Sequence, residues 1–149
     1  MSFNPLRLVL IPRQTTTASG NSNNLPIPGG WKAAILHLNV TAASGTTPTL
    51  NVYVQDALTP ASATDVFGAA PSGTTVFDDF ASFTQVSAAG DWVMRIDQQG
   101  TSAGAVIASG SLAAGTAKIG PIGLLWRVQW VIAATTPSFT WSLTAQFIP

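Results

Sequence analysis

Strict alternation of apolar and polar residues is the feature that most narrows the folds open to this chain. Leu36, Leu38 and Val40 alternate with His37 and Asn39, and Leu50, Val52 and Val54 with Asn51, Tyr53 and Gln55. Trp92, Met94 and Ile96 alternate with Val93, Arg95 and Asp97. Trp126, Val128, Trp130 and Ile132 do the same, as do Phe139, Trp141, Leu143, Ala145 and Phe147. A period of two puts successive side chains on opposite faces of a pleated strand, so each run is a half-buried strand. Clusters such as Ser-Gly-Thr-Thr-Pro, Ala-Ala-Gly-Asp and Gln-Gln-Gly-Thr-Ser-Ala-Gly separate the runs and supply turn chemistry. No window carries a helical stripe, and the Ala-rich stretch 57–70 contains Pro60, Gly68 and several β-branched or Ser residues, which disfavour helix. The expected class is all-β: a single sandwich or jelly-roll-like barrel over residues 31–149.

Residues 1–30 read differently. Leu6–Ile11 can form one short strand, but Gln14–Asn24 is polar and unpatterned, and Pro26, Pro28, Gly29 and Gly30 close the segment. This region is expected to be an extended N-terminal arm. Its apolar residues Phe3, Leu6, Arg7 with its aliphatic stem, Leu8, Val9, Leu10 and Ile11 have two readings. They can add an edge strand to the chain's own sheet, or bind a neighbouring subunit by strand addition.

An internal echo links two distant segments. Thr46-Thr-Pro-Thr-Leu-Asn-Val-Tyr-Val54 recurs as Thr135-Thr-Pro-Ser-Phe-Thr-Trp-Ser-Leu143. Proline suits a corner, so each copy is expected to be a strand, a Thr-Thr-Pro turn and a second strand, giving two equivalent hairpins.

The chemistry-bearing residues are sparse. Charged residues make up 8% of the chain, six Lys/Arg against six Asp with no Glu, where a soluble domain carries roughly 25%. The zero net charge and scattered cations leave no footprint for nucleic acid or an anionic membrane. With no cysteine, disulfides, thiol catalysis and Cys-type metal sites are excluded. No stretch approaches the roughly 20 clean apolar residues of a membrane helix, and the run Leu8–Ile11 is too short for a secretion signal, so a chain made without a leader is expected.

Gly100-Thr-Ser-Ala-Gly104 matches a G-x-S-x-G elbow, but the only histidine, His37, lies upstream and no helix follows, so a loop is expected. His37 sits on the polar register of its strand and is expected to face solvent or pair. Asp78 and Asp79 should point to opposite faces and expose their charge at a turn or strand end. Asp56, Asp65, Asp91 and Asp97 lie near strand ends without calcium-loop spacing. Trp92, Trp126, Trp130 and Trp141 fall on apolar registers and are expected in the core, leaving Trp31 and Tyr53 as the aromatics that a sugar-binding surface would use. No catalytic, cofactor or metal site is expected, and the chain reads as a non-enzyme.

Three runs carry a family resemblance: Val40-Thr-Ala-Ala-Ser-Gly-Thr-Thr-Pro-Thr-Leu-Asn-Val-Tyr-Val-Gln55, Phe77-Asp-Asp-Phe-Ala-Ser-Phe-Thr-Gln-Val-Ser-Ala-Ala-Gly90 and Thr135-Thr-Pro-Ser-Phe-Thr-Trp-Ser142. With Leu125–Val131 they resemble a module of tailed-bacteriophage virion proteins, most closely the capsid decoration (cement) proteins. Phe77 stands where that module usually has Trp, and the insert 57–75 is longer than a plain hairpin loop. The resemblance implies a homo-oligomer, a trimer above all, made in the host cytoplasm and seated on the virion. Its partner would be the phage major capsid protein, with no nucleic acid and no membrane. The arm residues Phe3–Ile11 would reach to neighbouring subunits. A tail, neck or fibre-associated part and a carbohydrate-binding module are the alternatives. Burial against partners would account for the scarcity of charge, since charged residues are depleted at interface cores.

Overall fold

The computed structural model describes residues 5–58, 76–98, 110–118 and 122–149. Among them are eight strands and no helix: β1 (Leu6–Thr16), β2 (Gly20–Asn21), β3 (Leu25–Pro26), β4 (Ala33–Leu58), β5 (Val76–Ser82), β6 (Gly90–Asp97), β7 (Thr116–Ala117) and β8 (Leu125–Ile148). All pairings are antiparallel, in one sheet ordered β1-β8-β4-β5-β7, with β2 and β3 also on β8 and β6 also on β4. The all-β class is as the alternation demands. The sheet does not close on itself among the described residues, so the barrel form of the expectation is replaced by an open sheet.

The long strands β4 and β8 run side by side from Ala33↔Ile148 to Asp56↔Trp126, and both bend in the middle. The two Thr-Thr-Pro copies are not turns between separate strand pairs; they face each other, with Thr46 registered against Thr135. Thr47 and Thr136, equivalent in the echo, share a φ of 50°, and each hydroxyl donates to the preceding carbonyl at 2.8 Å. Such a φ is strained for a β-branched residue and is held only because its surroundings dictate it. Gly45 has φ 118°, and a Cβ there would stand 2.9 Å from the Thr136 carbonyl oxygen. Gly45→Ala is therefore expected to lower stability by about 1–3 kcal/mol, measured by denaturant unfolding.

The paired corners double the sheet over. Trp126 and Phe147 lie on the same strand, where a straight β8 would separate them by roughly 70 Å, yet their rings are 5.6 Å apart. Trp130 and Trp141 meet likewise at 5.5 Å. One half comprises β1, residues 139–148 of β8, residues 33–44 of β4, and β6. The other comprises β2 and β3, residues 125–132 of β8, residues 49–58 of β4, then β5 and β7. Between them sit Leu36, Leu38, Val40, Leu50, Val52, Val54, Phe80, Trp126, Val128, Phe139, Trp141 and Leu143, all at most 2% exposed. Trp92 and Trp130 are half-buried against this core.

Trp31 is part of it too. Expected at the surface, its ring is 5% exposed and stands edge-on to Trp126 at 5.6 Å. Gly30, with φ 82°, turns the chain just before it. A sugar-binding surface built on Trp31 is thereby removed.

Residues 6–27, read as part of an arm, line the edge of β8. Leu6 to Thr16 pair with Phe147 to Phe139, the edge-strand alternative of the two readings. Beyond, the polar run substitutes hydroxyls for a regular ladder. Ser22 N–H donates to Val128 C=O at 2.8 Å, Val128 N–H donates to Ser22 Oγ at 2.9 Å, and Ile132 N–H donates to Ser19 Oγ at 2.9 Å. Gly20 has no side chain because Trp130 covers it: a Cβ would meet Cζ2 at 2.7 Å. Serine side chains that offer both a donor and acceptors can satisfy β8's edge where the sequence has no strand pattern at all.

Candidate functional site

The expected partner-binding segment is split by its own geometry. Register shifts fall between Val9 and Ile11 and again between Ile11 and Gln14, around Pro12, which has no N–H to give. The first bulge turns two consecutive residues inward, so Leu10 and Ile11 are each 3% exposed in the core, and Leu8 packs against it. Leu6 and Val9 remain 53% exposed, and Arg7 is exposed beside them. Phe3 lies outside the described residues. Of the expected set, Leu6, Arg7 and Val9 stand exposed, and Leu8, Leu10 and Ile11 hold β1 to the body.

Arg7 and Val9 belong to a larger surface. On the outward face of the half formed by β1, β8, β4 and β6, the registers align Arg7 with Gln146 and Ile35, and Val9 with Thr144, His37 and Val93. Arg7, Ile35, His37, Val93, Thr144 and Gln146 line a shallow groove of about 300 Å³. Val93 is the most exposed large apolar residue described, at 69%. At one border His37 Nε2 lies 2.7 Å from Asp91 Oδ1, and Asn39 Nδ2 donates to the same oxygen at 2.8 Å. The hydrogen bond from Asn39, then that from His37, lowers the Asp91 pKa below its ordinary 3.8. A carboxyl held below its unfolded value favours the fold above that value and loses the effect as pH falls through the folded one. The Asp91 carboxyl is thus expected to titrate below 3.8 in a carbon-detected NMR titration, rising toward 3.8 in Asn39→Ala.

The opposite half buries polar groups under the segment 110–118. Asp78 and Asp79 do point to opposite faces, but neither is the exposed charge expected. Asp79 is fully buried: it accepts from Gln55 Nε2 at 2.6 Å and from the backbone N–H groups of Ser111 and Leu112 at 2.8 and 3.1 Å. Gln55 in turn accepts from Arg127 Nε at 2.8 Å, and Arg127 stacks over the Phe77 ring at 3.2 Å. Burial lowers the Arg127 pKa; burial and the Asp79 charge raise that of Tyr53. This network pins the 110–112 segment to the sheet, and alternation alone cannot reveal it because Gln55 and Asp79 look like solvent-facing residues. Asp79→Ala is expected to lower stability by about 3 kcal/mol or more, since Gln55 and two backbone donors lose their acceptor.

On the inward face, Asp78 accepts from Lys118 Nζ at 2.5 and 2.7 Å, and Asp56, registered opposite Asp78, accepts from Gly123 N–H at 2.7 Å. The G-x-S-x-G match at 100–104 and Asp65 lie outside the described residues. Among the described residues no three His, Cys, Asp or Glu side chains converge as metal ligands. A comparison of the chain with protein-family models, curated proteins and solved structures returns no match.

Proposed function

We propose that this chain is a non-enzymatic structural component of a tailed-phage virion, a capsid decoration protein that binds the outside of the shell as a homo-oligomer, a trimer, and bridges capsid subunits. In this reading the doubled sheet is a β-sandwich of the jelly-roll kind, used as a rigid block. The observation that carries the reading is the outward face of β1, β8, β4 and β6. Val9 and Val93 stand more than half exposed there, and Val93 lines the groove with Arg7, Ile35, His37, Thr144 and Gln146. Exposed apolar side chains at the middle of a face, with the charged pairs His37–Asp91 and Arg95–Asp97 to one side, suit a surface that is covered in the working state. The expected arm is refined to a seated edge strand that presents Leu6, Arg7 and Val9.

The test is binding to empty shells of the major capsid protein encoded in the same genome. Val93→Asp places a charge in the middle of the contact and is expected to weaken shell binding about tenfold or more. Its unfolding free energy should stay within about 0.5 kcal/mol of the wild type, because the side chain is exposed. Undiminished binding by Val93→Asp together with Val9→Asp would remove this face from the proposal.

A further inference from the structure

We propose that Lys118 and Asp78 become covalently joined, Lys118 Nζ forming an amide with Asp78 Cγ and releasing one water. The inference is independent of the capsid reading. Asp78 and Asp56 are direct cross-strand partners in β5 and β4 and share the inward face with Phe80. Phe80 packs on Trp126 at 4.7 Å between ring centroids, and both rings are at most 1% exposed. Lys118 follows β7, which is registered on β5, and its own N–H donates to Phe80 C=O at 2.8 Å. The backbone therefore delivers the ammonium to Asp78 and holds it there. The two side chains are only 16% and 18% exposed, and Nζ lies 2.5 and 2.7 Å from the two carboxyl oxygens, facing the carbon between them.

That placement has the elements of an intramolecular condensation. Passage of one proton from the Lys118 ammonium to the Asp78 carboxylate across this contact gives an amine and a carboxylic acid. Rotation about the Cβ–Cγ bond of Asp78 turns the face of its carboxyl group toward Nζ. The nitrogen lone pair then forms the C–N bond, and the C–O bond breaks with its electron pair leaving on oxygen. Asp56 supplies the proton that the departing oxygen needs and takes up the one the nitrogen sheds, so it ends as it began. The sum is one amine and one carboxylic acid giving one amide and one water, with no other reactant. Asp56 suits the shuttle: Gly123 N–H fixes one of its oxygens, and burial raises its pKa, helped by the Asp78 charge and opposed by the Gly123 hydrogen bond and the Lys118 charge. Holding the reacting groups in contact replaces the entropy a bimolecular condensation would have to overcome. The product would tie β5 to the end of the 110–118 segment, just after β7, closing the chain between residues 78 and 118.

The experiment is intact mass spectrometry of the purified full chain after denaturation, followed by proteolysis. The expected mass is that of the sequence less one water, with a peptide containing Asp78 joined to one containing Lys118. Lys118→Arg and Asp78→Ala are expected to restore the full mass, and Asp56→Asn to slow joining about 100-fold. The wild-type measurement stands even if a variant fails to fold. Full sequence mass in the wild type, with Lys118 open to an amine-specific reagent once denatured, would overturn the proposal. So would a water loss that maps to a cyclised aspartate elsewhere in the chain.

Discussion

Deletion of residues 1–16 is expected to leave a chain that does not fold cooperatively at 25 °C, shown by loss of the sigmoidal urea transition in circular dichroism. The segment carries Leu10 and Ile11 into the core and pairs with Phe147 through Phe139 along the outer edge of β8. Removing two buried aliphatic side chains of this kind costs about 2–5 kcal/mol each, against a total stability of about 5–15 kcal/mol for a domain. The ladder partners of residues 139–147 are lost as well, leaving an unpaired strand edge. Single substitutions separate the two roles of the strand. Leu10→Ala and Ile11→Ala should each lower stability by about 2–5 kcal/mol. Val9→Ser, at the exposed position next to Leu10 on the same strand, should change it by about 0.5 kcal/mol or less. Equal effects at the three positions would mean that β1 is not seated as described.

Trp126→Ala is expected to have the largest effect of any single substitution, about 3–5 kcal/mol, with loss of most of the near-ultraviolet circular dichroism. The reason is where the ring stands. It touches Phe80 at 4.7 Å, Trp31 at 5.6 Å and Phe147 at 5.6 Å between centroids, so it joins β5, the segment before β4, and the far end of its own strand. Its Nε1–H donates to Gly123 C=O at 2.9 Å, which also positions the residue whose N–H holds Asp56. The same truncation at Trp92, which is half-buried, opens less cavity and should cost visibly less.

The sequence made the strands legible, and it did so because one face of each is buried: Leu36, Leu38 and Val40, or Trp141, Leu143 and Ala145, can only read as alternating. It left open how the strands connect. In β8 the buried positions are even-numbered before the corner (Trp126, Val128) and odd-numbered after it (Phe139, Trp141, Leu143), a change of phase that the irregular backbone around Thr136 absorbs. A continuous bent strand and two strands joined by a turn leave the same pattern in the residues. The echo was visible, but only the pairing of Thr46 with Thr135 shows that its two copies are neighbours. Residues 17–27 gave no strand signal since their pairing with β8 comes in two-residue pieces, β2 and β3, with serine hydroxyls bonded between and beside them, which look like loop chemistry. Trp31 stands outside every alternating run, so periodicity had nothing to say about its burial.

The candidate surface was legible in part. Arg7 and Val9 were singled out in the sequence with Leu8, Leu10 and Ile11, and only the bulge between Val9 and Ile11 divides those that face out from those that face in. Val93 and Ile35 joined the surface through register alone, since their apolar side chains sit at positions where the alternation calls for polar ones. An apolar residue on the outward register is the signal that could have found them.

The most direct test of the proposed function is a cryo-electron microscopy map of shells decorated with this protein. It should show the outward face of β1, β8, β4 and β6 against the capsid subunits, with Val9 and Val93 covered and the 110–118 side directed to solvent. A shell that binds the protein through the 110–118 side, leaving Val9 and Val93 open, would contradict the account, as would a shell that takes up none of it.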